Sequence, residues 1–151
     1  NNTISAITAL PAAISTGVVL QVVTATDGTQ RNTTSTSFVT ASNTLSVDIT
    51  PSSSSNKIFV ICTCTFGSNG NNIAGLGTIY RDSTNLGNAN GMMANYGNSI
   101  RISGSMSILD SPSTTSSVTY QAYFRQESAS GQCDINWNST KSSITAYEIE
   151  G

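Results

Sequence analysis

The side chains in this sequence that could do chemistry are four carboxylates toward its C-terminal end, three thiols, and a group of amides, thioethers and a phenol in its middle; histidine is absent. A hydrolytic triad needs a base to take the proton from serine or cysteine, and the common versions lose that base here. A carboxylate pair of the glycoside-hydrolase kind is the remaining enzymatic constellation. Asp134, Glu127, Glu148 and Glu150 could be drawn together by adjacent strands, although surface carboxylates are ordinary. Cys62 and Cys64 are two apart in an extended pattern, so they share a face and are poorly placed to bond to each other. Cys133 can pair with one of them only if its strand lies opposite; otherwise all three are small buried thiols. Three thiols without histidine make a poor structural zinc site. The glycines at 67 and 70 lack the lysine and helix of a phosphate loop, and no loop concentrates carboxylates for calcium. The expectation is no catalytic residue, no cofactor and no metal.

Recognition by surface contact is the chemistry that remains. Residues 83–98 are rich in glycine and asparagine and carry Asn90, Met92, Met93 and Tyr96. Exposed in a loop, a phenol beside two thioethers would form a patch for a sugar face or a partner protein. The alternative is that this stretch folds back on the domain or packs at a subunit interface. A second candidate lies in residues 1–16, where Ile4, Ile7, Leu10 and Ile14 are spaced by three or four and Pro11 interrupts the stripe. This segment reads as a connector or assembly segment that packs against copies of itself, with a disordered lead-in as the alternative. Beginning at Asn1, the chain reads as a piece of a longer or processed protein.

The elements that must position these residues are strands. Ile100, Ile102, Gly104, Met106 and Ile108 alternate with Arg101, Ser103, Ser105 and Ser107, a period of two with one apolar and one wet face. Residues 18–23 are almost continuously apolar, as in a strand covered on both faces. Strands are predicted next at 35–41 and at 44–50, the second with Leu45, Val47 and Ile49 on one face. Pro51 and four serines then make a loop. Residues 57–66 are the strongest strand: Ile58, Val60, Cys62, Cys64 and Phe66 share a face, and Phe59 and Ile61 weight the other, so the strand is central. Further strands fall at 73–81, 100–109, 118–126, 132–137 and 143–150. Phe38, Tyr120, Phe124 and Trp137 lie in these strands and are read as core. About nine strands with breaks every 8–12 residues indicate an antiparallel β-sandwich of jelly-roll type over residues 17–151.

Composition fits that scaffold. Serine and threonine are roughly three residues in ten, well above ordinary usage. Only 9% of residues are charged, with a net charge of −2. The wet face is therefore hydroxyl and amide rather than ionic. Six scattered Lys and Arg form no stripe for phosphates, so nucleic acid is not an expected partner. No run of about 18 apolar residues forms a membrane span.

From Gly17 to its end the chain resembles a domain of tail-fibre and other virion appendage proteins of tailed phages, of the marine and cyanobacterial type. Four segments carry the resemblance: Gly17-Val18-Val19-Leu20-Gln21-Val22-Val23; Ile49-Thr50-Pro51-Ser52-Ser53-Ser54-Ser55-Asn56-Lys57-Ile58; Leu109-Asp110-Ser111-Pro112-Ser113-Thr114-Thr115-Ser116-Ser117-Val118-Thr119-Tyr120; and Ser143-Ile144-Thr145-Ala146-Tyr147-Glu148-Ile149. These motifs are structural, so the resemblance transfers no functional residue. It implies a β-sandwich, a homotrimer, and display on the virion surface beside other virion proteins. The resulting expectation is a non-enzymatic structural protein, a tail-fibre domain contacting a host glycan or protein. A capsid decoration or cement protein, docked through residues 1–16, is the alternative. A polysaccharide depolymerase using Asp134 or Glu127 stands behind both.

Overall fold

The structure, a computed structural model, describes residues 17–70 and 72–151. The segment carrying Ile4, Ile7, Leu10 and Ile14 lies outside the described residues.

Eleven strands run in chain order among the described residues: β1 (Val19–Asp27), β2 (Arg31–Thr33), β3 (Ser46–Ile49), β4 (Lys57–Ser68), β5 (Ile73–Arg81), β6 (Thr84–Asn85), β7 (Met93–Gly97), β8 (Ile100–Asp110), β9 (Val118–Gln126), β10 (Cys133–Ile135) and β11 (Ser142–Ile149). All pairings are antiparallel. One sheet runs β1–β11–β4–β8 and the other β3–β9–β5–β7. This interleaving of the chain between two four-stranded sheets is that of a jelly roll. Short β10 continues the line of β11 along β4, and β2 flanks β10. The first sheet therefore has β8 at one edge and β1 and β2 at the other.

Alternation decides which side chains enter the core. Ile58, Val60, Cys62, Cys64 and Phe66 of β4 all face the second sheet and are buried. They meet Val118, Tyr120, Ala122 and Phe124 from β9, with Leu45, Val47 and Ile49 closing one side. At the β8 edge, glycines make room: at Gly104 a Cβ would come within 2.8 Å of the Met93 sulfur. At the Asp110 end of β8 a polar lock spans the sheets. Arg81 donates to both oxygens of Asp110 at 2.8 and 2.6 Å, and the Tyr120 hydroxyl donates to Asp110 Oδ2 at 2.7 Å. Burial first, then the bond to Asp110, holds the Tyr120 phenol far above its ordinary range.

Several expectations need correction. Residues 35–41 form no strand; a single bridge joins Val39 to Phe124, and Ala41 and Ser42 take left-handed backbone that ends the extension. Residues 83–98, expected as irregular, contain β6 and β7. Trp137 is not core. It lies past β10 in a short 3-10 turn (Trp137–Ser139) and is 40% exposed. Phe38 packs edge-on against Tyr80 outside the second sheet, not between the sheets. The largest departure is at residues 18–23. β1 pairs only with β11, and Val18, Val19, Leu20 and Val22 are about half exposed rather than covered on both faces.

Candidate contact surface

Residues 83–98 are built around asparagine side chains that replace missing backbone partners, as the Asx-type turn allows. Asn85 Oδ1 accepts from the Thr78 hydroxyl and the Gly87 amide at 2.7 and 2.9 Å. Asn88 Oδ1 accepts from the Asn90 amide at 2.7 Å. Gly91, at φ +77°, then returns the chain to β5, where the Met92 amide donates to the Gly77 carbonyl. A Cβ at Gly91 would overlap that carbonyl. β7 follows. Its buried Asn95 donates to the carbonyls of Phe66 and Ile100, stitching the second sheet to the first.

This frame separates the four candidate residues. Tyr96 lies opposite Ala74 on the outer side of β7 and is 62% exposed. Asn90 is exposed at the preceding turn. Met92 and Met93 are partly buried and pack against the core, so their thioethers fill space under the sheet edge instead of forming the patch. The expected group of four is thus a pair, Asn90 and Tyr96, backed by two methionines. Past the turn after β7, Ile100 and Ile102 at the start of β8 add half-exposed apolar surface that sequence patterning assigned to the core face. They lie on that face, but β8 is an edge strand, so nothing beyond it covers them.

The carboxylates are tied into separate structural knots. Glu148 is buried, and its Oε1 accepts from the Ser52 amide, the Ser52 hydroxyl and the Asn56 side-chain amide at 2.6, 2.8 and 2.7 Å. Burial pushes its carboxyl up, but these donors outweigh burial and hold it below the ordinary value. Asp27 accepts from the amides of Thr29 and Thr44, which with Arg31 likewise outweigh burial. Glu127 accepts from the Ala74 amide. Asp134, almost fully buried, is ion-paired to Arg101 at 3.1 Å, and the Arg101 guanidinium lies 3.6 Å over the Trp137 ring. Here burial wins over the arginine, and the Asp134 carboxyl sits above its ordinary range. Gly67 permits this cluster, because a Cβ there would collide with the Arg101 side chain. Asp134 pairs in register with Gly67 and Glu148 with Ile58. Nine residues of β4 separate those rows, about 30 Å at ~3.3 Å per residue. Glycosidase carboxylates stand within about 10 Å of each other, so these two do not form such a pair.

Cys62, Cys64 and Cys133 are all free and buried, as expected of small apolar thiols. The Cys64 thiol beside it and burial together push the Cys62 thiol up, and burial pushes the Cys133 thiol up. Among the described residues no group of three or more Cys, Asp or Glu is placed to hold a metal ion, and no helix is long and apolar enough to cross a membrane. Compared with protein-family models and with curated proteins, the chain matches none.

Proposed function

We propose that this chain is a non-enzymatic structural module of a phage virion appendage, a tail-fibre domain present in several copies that contacts the host surface. The observation that carries this reading is where its four resemblance segments fall. The first is edge strand β1, and the last is β11 beside it. The second is the serine loop that Glu148 of β11 ties down. The third joins β8 to β9 across the sandwich, starting at the Asp110 lock. The segments thus read as framework, and framework of this kind leaves recognition to turns displayed by the sheets. Of those turns, the one ending in β7 presents the most exposed aromatic ring of the described residues, Tyr96. An amphipathic ring with amide neighbours suits a sugar face or a protein surface, and weak contacts repeated on several copies gain avidity.

The test is binding of the purified chain to cells of the host bacterium, with Tyr96→Ala and Asn90→Ala compared with the parent. Loss of about tenfold or more in affinity for Tyr96→Ala, at unchanged thermal stability, is the expected result, since aromatic anchors dominate such contacts. Unchanged binding would remove the β7 turn from the contact surface.

A further inference from the structure

The two sheets treat their outer faces differently. Over β5 and β9 the outer face of the β3–β9–β5–β7 sheet is covered by the chain itself. Tyr80 and Tyr123 stack there at 4.0 Å, Phe38 closes on Tyr80, and Arg125 lies over Phe38 while donating to the Ala89 carbonyl. Beneath these segments Leu76 and Thr78 are buried although they point outward.

The outer face of the β1–β11–β4–β8 sheet has no such cover among the described residues. One row crosses all four strands in register: Val22, Tyr147, Phe59 and Leu109. Val22 and Leu109 are 54% and 52% exposed, and the Phe59 and Tyr147 rings stand 6.1 Å apart between them. Ile61 continues this apolar row toward a field of hydroxyls. Those hydroxyls already pair across strands, Thr24 with Thr145 at 3.0 Å and Thr63 with Ser105 at 2.8 Å. Charge is confined to the ends: Lys57 lies at one, and Arg101, neutralised by Asp134, at the other.

We infer that this bare face is where a second copy of the chain packs. Its chemistry selects that occupant. A charged partner would find no countercharges between Lys57 and Arg101. An apolar row flanked by hydroxyls, each both donor and acceptor, is instead complementary to another such face, and this chain carries one. Size agrees: strands β1, β11, β4 and β8 of nine, eight, twelve and eleven residues, about 4.8 Å apart at ~3.3 Å per residue, give roughly 630 Å², within the range of ~600–1,000 Å² per partner of a stable interface. The strands bounding the face, β1 and β8, are also sheet edges without the lysines or prolines that usually guard such edges. Face on face is a two-fold contact that pairs two copies, not the threefold contact of a homotrimer, and the inference rests on the module reading only for the expectation that copies lie close together.

Sedimentation of the full chain tests it, with the double variant Val22→Lys, Leu109→Lys compared with Tyr96→Lys on the other sheet. Both lysines replace half-exposed side chains, so the fold should survive. The parent and Tyr96→Lys should sediment as oligomers at tens of micromolar. The double variant should sediment as a monomer, its dissociation constant raised at least about a hundredfold by like charges brought face to face. If the lysines unfold the sheet, Ser105→Arg at an already exposed hydroxyl gives the same reading. A monomeric parent at about 100 μM, or an oligomer that survives charge on this face, overturns the inference. Oligomerisation through this face would stand even if the chain were found elsewhere than on a tail fibre.

Discussion

Glu148 offers the sharpest check on how the framework is held. Its Oε1 collects three donors, two from Ser52 and one from Asn56, while the glutamate itself is buried. Glu148→Gln keeps the shape and one acceptor oxygen but removes the charge. Bonds to a charged acceptor contribute about 1.5–3 kcal/mol and neutral ones about 0.5–1.5, a difference of about 1–1.5 per bond, so three bonds lose about 3–4 kcal/mol together. Burying a neutral amide costs less than burying a carboxylate, which brings the net loss to about 2 kcal/mol. For a domain of this size that lowers Tm by about 4–8 °C. The loss must also depend on pH. The donors hold the folded carboxyl below its ordinary value of 4.5, so its stabilisation is complete above that value and disappears as pH falls through the lower folded value. Thermal melts followed by the single tryptophan, Trp137, should therefore show a gap between parent and variant that is constant from about pH 7 to 5 and narrows as pH falls below 4.5. A variant melting within about 2 °C of the parent at pH 7, or a gap unchanged at pH 3, would refute the account of this knot.

Three further outcomes follow from particular contacts. Gly91→Ala forces a side chain into left-handed backbone and onto the Gly77 carbonyl, and should destabilise the fold by about 2 kcal/mol or more in urea titration. Arg101→Met leaves the buried Asp134 carboxylate unpaired; a loss of about 3 kcal/mol is expected at pH 7, shrinking in acid as Asp134 takes a proton, with altered Trp137 fluorescence because the guanidinium has left the ring. Ellman's reagent should find no reactive thiol in the native protein at pH 8 and all three after unfolding, because Cys62, Cys64 and Cys133 are buried away from the reagent.

The β-sandwich was legible where alternation is strong. In β4, β8, β9 and β11 the side chains obey the period of two, and the buried positions Val60, Met106, Tyr120 and Ile144 are those the pattern marks. It failed where a strand is made by something other than hydrophobicity. β7 carries Asn95 at its buried position, and that amide is satisfied by carbonyls of Phe66 and Ile100, which are distant in sequence from β7 or past its turn. Residues 35–41 carry strand-like residues but run past β9 with one bridge. Trp137 is apolar enough for a core, yet an arginine held flat by Gly67 provides its shelter. The misreading of residues 18–23 has a different cause. An apolar run states that both faces seek cover; it does not state that the cover belongs to the same molecule. Of the contact residues, Tyr96 was legible as an aromatic among turn formers, whereas the burial of Met93 depends on Gly104 across the sandwich.

Cryo-electron microscopy of the phage particle, with the eleven-strand fold traced in density, tests the proposed appendage role of this jelly roll. Clustered copies at the tail periphery, with the β7 turn and Tyr96 directed outward, are the expected result. Density spread over the capsid lattice, or a particle without this fold, would contradict it.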